Sequence, residues 1–112
     1  MSHLTIYARL ARISPEDALN WLDHQRGSRI RGEPVEAFFR SALGFKVRPL
    51  SYGKCAFCIG RKWYDLRLPD WAIWWARQVS QLRSPEQGYR IEEVRECLEQ
   101  TIKIIRRGVH TP

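Results

Sequence analysis

Hydrophobic positions along this chain change period twice, from helical spacing to alternation and back. In "GEPVEAFFRSALG", Val35, Phe38, Phe39, Ala42 and Leu43 follow the i, i+3, i+4, i+7, i+8 spacing of one buried helical face. Pro34 suits the first turn of that helix and Gly44 its stop. An earlier helix is predicted from "SPED", with Ser14 as N-cap, Pro15 at the first helical position, acidic residues in the first turn and Gly27 as terminator. Ala18, Leu19 and Leu22 give it an apolar edge, with Trp21 beside them. A third helix opens at Pro69-Asp70, where Asp70 reads as a cap, and runs to about Arg83. Ser84-Pro85-Glu86 then interrupts, and a fourth helix spans roughly Arg90 to Arg107. Its Ile91, Val94, Leu98, Thr101 and Ile105 form a narrow seam that Ile102 and Ile104 widen, and Gly108 ends it.

Between the second and third helices the period becomes two. Phe45 and Val47 alternate with Lys46 and Arg48, "SYG" reads as a turn, and "KCAFCI" and "KWYDL" read as short strands. Pro49 restricts its own segment to a sheet edge. The expected fold is therefore mainly α with a small inserted antiparallel β-hairpin, an α+β chain of about four helices. All of residues 1–112 form one domain, and the hairpin insert covers about 45–66.

The third helix carries the densest aromatic cluster, "LPDWAIWWARQV". At about 100° per residue, Trp71, Trp74 and Trp75 share one arc. Trp75 lies near its centre with Val79 and Leu82, and Trp74 lies at its edge beside Gln78. Three such rings need on the order of 600 Å² of cover, at roughly 150–250 Å² each. Trp21, Trp63, four Phe, four Tyr and an Ile-rich last helix compete for the same small interior. Part of the face is thus expected to stay uncovered and to meet a partner, a second copy of the chain first of all. The candidate partner-binding set is Trp71, Trp74, Phe38, Phe39 and Arg77. Along the tryptophan face, Trp75 is expected to be structural, Trp74 a contact residue, and Trp71 to serve both roles.

Composition adds charge to this picture. The 112 residues carry a net charge of +7, with fifteen arginines against four lysines. Residues 44–67 hold Lys46, Arg48, Lys54, Arg61, Lys62 and Arg67 against Asp65 alone, a local +5. Such a balance points to nucleic acid, acidic proteins or anionic lipid. No apolar run reaches the eighteen or so residues of a membrane span, and the N-terminal stretch lacks the h-region of a signal peptide. Three cysteines fit reduced thiols, so a cytoplasmic location is expected.

Candidate chemistry is sparse. "CAFC" has the spacing of a zinc or redox pair, but residues three apart on a strand face opposite ways, and no second ligand pair follows. Neither metal nor cofactor is expected. Asp23-His24 reads as a solvated pair, and no phosphate loop, nucleophile elbow or HExxH is present. A non-enzymatic protein is the expectation. The basic loop "QRGSRIRG" supplies Arg26, Arg29 and Arg31, which with Arg61 and Lys62 form the phosphate-gripping set of an alternative nucleic-acid-binding regulator. The helix after it is too apolar for a base-reading helix.

"GEPVEAFFRSALGF" and "LPDWAIWWARQV", in an Arg-rich chain of this length, resemble the QslA-like family of small quorum-sensing anti-activators of pseudomonads. The resemblance lies in whole-chain character and carries over no contact residue. It implies a cytoplasmic protein that binds a LuxR-type transcription factor, the acyl-homoserine-lactone receptor; the homodimer is expected from the aromatic excess alone. Such a protein blocks the activator's dimerisation and DNA binding without any chemistry of its own.

Overall fold

Ser14 and Asp17 close a reciprocal capping box. The Ser14 backbone N–H donates to the Asp17 carboxylate at 2.8 Å, and the Asp17 N–H donates to the Ser14 hydroxyl at 3.3 Å. This start, with Pro15 in the first turn, sets helix α2 at Pro15–Asp23. The computed structural model describes residues 3–49, 54–82, 86 and 88–108. Before α2 stands helix α1, His3–Arg12. In chain order there follow β1 (Arg29–Ile30), α3 (Pro34–Leu43), β2 (Lys46–Pro49), β3 (Lys54–Ile59), β4 (Lys62–Arg67), α4 (Asp70–Ser80), β5 (Tyr89–Arg90) and α5 (Ile91–Arg106). The α+β class holds. Five helices, rather than about four, occur among the described residues.

Helix α1 is the addition. It has no acidic first turn. Ile6 and Leu10, one turn apart, are buried, at 0% and 3% exposure. Its anchor is tertiary: the Arg9 guanidinium donates to the Leu43 carbonyl at 2.9 Å, at the C-terminal end of α3. A cation there meets the negative end of the helix dipole.

Helix ends also shift. Helix α2 stops at Asp23, well before Gly27, because the His24 N–H and ring both turn back onto the last carbonyls; the ring Nδ1 lies 2.7 Å from the Asn20 oxygen. Asp70 does not cap α4. Its carboxylate instead accepts from Arg67 at 2.6 Å. Helix α4 ends at Ser80, whose hydroxyl donates to the Arg77 carbonyl at 2.7 Å, while Arg83 lies outside the described residues. Helix α3 ends where predicted, with Gly44 left-handed at φ 74° and its N–H on the Arg40 carbonyl.

The predicted hairpin has a third strand. β2, β3 and β4 form an antiparallel sheet in that order, so β2 is an edge and Pro49 sits at its end. The "SYG" turn lies outside the described residues. A second ribbon pairs β1 with β5, Arg29 opposite Arg90 and Ile30 opposite Tyr89. Gly88 precedes β5 at φ 95°, and a Cβ there would stand 2.4 Å from the Ile30 carbonyl oxygen. Only glycine permits that approach.

The aromatic helix turns out to be covered. Helix α4 packs against α3 and α5, and α2 packs on α5. Phe38 stands edge-on to Trp21, Trp71 and Trp75 at 5.6, 6.1 and 6.0 Å, while Trp71 and Trp75 stack at 6.2 Å. Both buried indoles find carbonyls: Trp71 donates to Ile13 and Trp75 to Val94, each at 3.2 Å. The expected uncovered face on this helix is thereby reduced to Trp74. Four aromatics interlock through edge-to-face contacts of Phe38 and one stacked pair, so each covers part of the next.

Candidate nucleic-acid interface

Period-two alternation divides the three-stranded sheet into an inner and an outer face. Val47 of β2, Cys55 and Phe57 of β3, and Leu66 of β4 point inward, each 5% exposed or less, and join the core cluster beneath. Their neighbours point outward: Lys46 and Arg48 on β2, Lys54, Ala56 and Cys58 on β3, and Trp63, Asp65 and Arg67 on β4.

Register converts these into rows across the sheet. Lys46 stands opposite Cys58, which stands opposite Trp63; Arg48 stands opposite Ala56, and Ala56 opposite Asp65; Lys54 faces Arg67. The central strand thus contributes small residues, Ala56 and Cys58, between long ones on both edges. Arg48 uses that gap. Its guanidinium carbon lies 4.2 Å from the centroid of the Trp63 ring, two strands away. Contact of this kind favours the cation and fixes the ring. Ala56 is only 2% exposed although it lies on the outer side, as expected beneath longer neighbours. Trp63 nevertheless keeps 42% of its surface exposed.

The face therefore joins four cations, one carboxylate and an accessible indole. Arg67 shares its charge with Asp70, an exposed pair that holds the end of β4 to the start of α4 and contributes little stability. At the other end, exposed Arg61 lies in the β3–β4 turn and exposed Lys62 opens β4 opposite Ile59. Those two residues of the nucleic-acid set thus border the face. Arg26, Arg29 and Arg31 belong to the α2–α3 connection, also exposed, where Arg29 donates to the Gly88 carbonyl at 3.2 Å.

Of the partner-binding set, Phe38 and Phe39 lie in the core at 2% and 0% exposure, and Trp71 at 9%. They support the fold from within and offer a partner almost no surface, which corrects their reading as contact residues. Trp74 is half-buried. The Arg77 guanidinium lies 5.3 Å from its ring centroid, and its buried indole N–H finds no acceptor among the described residues.

The thiols separate as strand geometry requires. Cys55 faces inward, where burial pushes its thiol up to about 12, reinforced by the carboxylates of Glu33 and Glu36. Cys58 faces outward, half-buried, and its thiol donates to the Gly60 carbonyl at 3.6 Å. Asp23 and His24 also part: Asp23 pairs with Arg95, and the His24 ring meets its own helix. Among the described residues no three His, Cys, Asp or Glu side chains cluster as metal ligands would.

Sequence reasoning singled out the local charge but missed the face. Trp63 was counted among the aromatics competing for the interior, but the register places it on the outer face. The signal was present in "KVR" and "WYDLR", whose i, i+2 positions carry Lys46 and Arg48, then Trp63, Asp65 and Arg67.

Comparison with protein-family models, with curated proteins and with solved structures returns no match.

Proposed function

We propose that this chain is a non-enzymatic nucleic-acid-binding protein of the regulatory kind, and that it binds through the outer face of β2, β3 and β4. The observation that carries this reading is the set of Lys46, Arg48, Lys54 and Arg67 around an accessible Trp63 on one side of the sheet. Cations at strand spacing meet a phosphate backbone, and each phosphate neutralised releases counterions to solvent. The inner face is anchored in the core, so the cations are presented without a folding cost on binding. Arg61 and Lys62 extend the positive surface beyond the sheet end.

Fluorescence anisotropy with labelled oligonucleotides tests it. Engagement of four phosphates lowers affinity by roughly 50- to 150-fold between 50 and 200 mM salt. Replacing Lys46 and Lys54 together with Gln removes two of those contacts and flattens the salt slope. Binding that ignores salt, or survives the double substitution unchanged, sinks the reading.

A second reading keeps the anti-activator expectation, with a LuxR-type activator as partner and Trp74 as contact residue. Its support is the Trp74 indole N–H, buried with no acceptor among the described residues and beside the Arg77 guanidinium. A partner carbonyl would satisfy that donor, and Trp with Arg is the pairing that dominates interface energetics. Trp74→Ala then abolishes capture of the activator's ligand-binding domain and leaves oligonucleotide binding intact.

A further inference from the structure

We infer that the outer sheet face is selective for unpaired nucleic acid, with Trp63 as the platform on which a base stacks. This rests on the nucleic-acid reading and narrows its ligand to a single strand.

The argument begins with what a duplex offers. Its bases are stacked on one another, so a protein meets phosphates and groove edges, and cations alone suffice for backbone contact. An indole has little to do there except as a wedge. An unpaired strand presents base faces as well as phosphates, and an aromatic ring beside a basic groove matches both. The sheet places such a ring among cations: Lys46 lies in the same cross-strand row as Trp63, and Arg48 lies 4.2 Å from the ring centroid.

Two features make Trp63 a binding group rather than a stray surface aromatic. It retains 42% of its surface, one of two large hydrophobic side chains so exposed among the described residues. The sequence had inward positions to offer on the same strand, and Leu66 fills one at 1% exposure. Second, Arg48 spans β3 to hold one side of the indole. Contact with the cation pre-orients the ring, so ordering it costs less when a base arrives. The opposite side of the ring is where the base stacks, and Arg48 and Lys46 then stand within a nucleotide's length to take the adjoining phosphates.

The spacing suits a short strand. Neighbouring strands lie about 4.8 Å apart, so the backbones of β2 and β4 are separated by about the width of the sheet, which Arg48 spans to reach the indole. A chain crossing from β4 to β2 therefore meets stacking first and charge next. Lys54 opposite Arg67 provides a second charged row towards the other end of the sheet.

The test uses the full chain and three probes of equal length: a mixed-sequence 15-nucleotide single strand, the same sequence as a duplex, and an abasic strand with the same phosphates. Anisotropy at 100 mM salt should show the single strand binding at least about 10-fold tighter than either other probe. Trp63→Ala should lose about 10-fold on the single strand alone, and Trp63→Phe should retain most of the affinity, since stacking needs a ring and not the indole N–H. Circular dichroism melts establish that both variants fold. Equal affinity for all three probes, or a Trp63→Ala loss shared by the abasic strand, overturns the stacking inference and leaves phosphate binding standing. Failure of every probe to bind at 50 mM salt overturns both. Binding of an acidic protein in place of all three does the same.

Discussion

The Trp75 indole N–H donates to the Val94 carbonyl at 3.2 Å, joining α4 to α5 inside the core. Trp75 itself is 0% exposed and touches Phe38 and Trp71 at ring distances of 6.0 and 6.2 Å. It is the point at which three helices meet. Trp75→Ala is expected to cost about 3–5 kcal/mol, the range of a core aromatic truncation. Trp75→Phe keeps much of the packing and loses the hydrogen bond, so it should cost less. Urea denaturation of both variants decides the order.

Trp74, one residue earlier, should behave oppositely. Its indole nitrogen is buried and has no acceptor among the described residues. Replacing an unsatisfied donor by an apolar edge of similar shape is neutral or favourable. Trp74→Phe should therefore leave stability unchanged or raise it by up to about 1 kcal/mol. Urea denaturation measures it, and a loss of more than about 1 kcal/mol overturns the expectation.

Glycine substitutions separate crowding from backbone conformation. Gly88 and Gly27 have φ values of 95° and 82°, but a Cβ meets the Ile30 carbonyl at 2.4 Å in the first case and nothing within 4 Å in the second. Gly88→Ala should cost about 2 kcal/mol or more, through strain plus displacement of the β1–β5 ribbon. Gly27→Ala should cost only about 1 kcal/mol. Thermal melts of the two variants rank them.

Thiol labelling reads the two sides of the sheet. Cys58 should react with a thiol reagent in the folded protein, while Cys55 and Cys97, both buried, should wait for unfolding. Counting labelled thiols by mass before and after denaturant checks this.

Alkaline pH should weaken the fold through Cys55. Burial raises its thiol from 9.0 to about 12 in the folded chain. Above pH 9 the unfolded chain loses that proton while the folded chain keeps it, so the unfolded state binds fewer protons and stability falls as pH rises. The decline runs from about pH 9 to about 12. Burial likewise raises the Cys97 thiol, with the same sign. Cys55→Ala should have a shallower fall in stability across that window, measured by denaturant titrations at pH 8 and 10.

Much of the helical half could be read directly from the chain, because its signals are local. The Ser14–Asp17 capping box, Pro34, Gly44 and Gly108 act within a few residues of themselves, and the three- and four-residue spacings of α3 and α5 survive folding unchanged. The opposite placement of Cys55 and Cys58 was also determined by sequence, once the strand was recognised, since alternation is a property of the backbone. Helix α1 was not legible: Ile6 and Leu10 acquire meaning only when Arg9 reaches the Leu43 carbonyl, thirty-four residues away. Cover for the tryptophans likewise came from elsewhere, since Phe38 and Val94 are brought to α4 by packing. The basic face was the least legible of all. Its charges were countable along the chain, but Arg48 meets Trp63 only because strand register carries both to one side of the sheet, with small residues between them. Register depends on which face is buried, and that is a property of the whole core rather than of any segment.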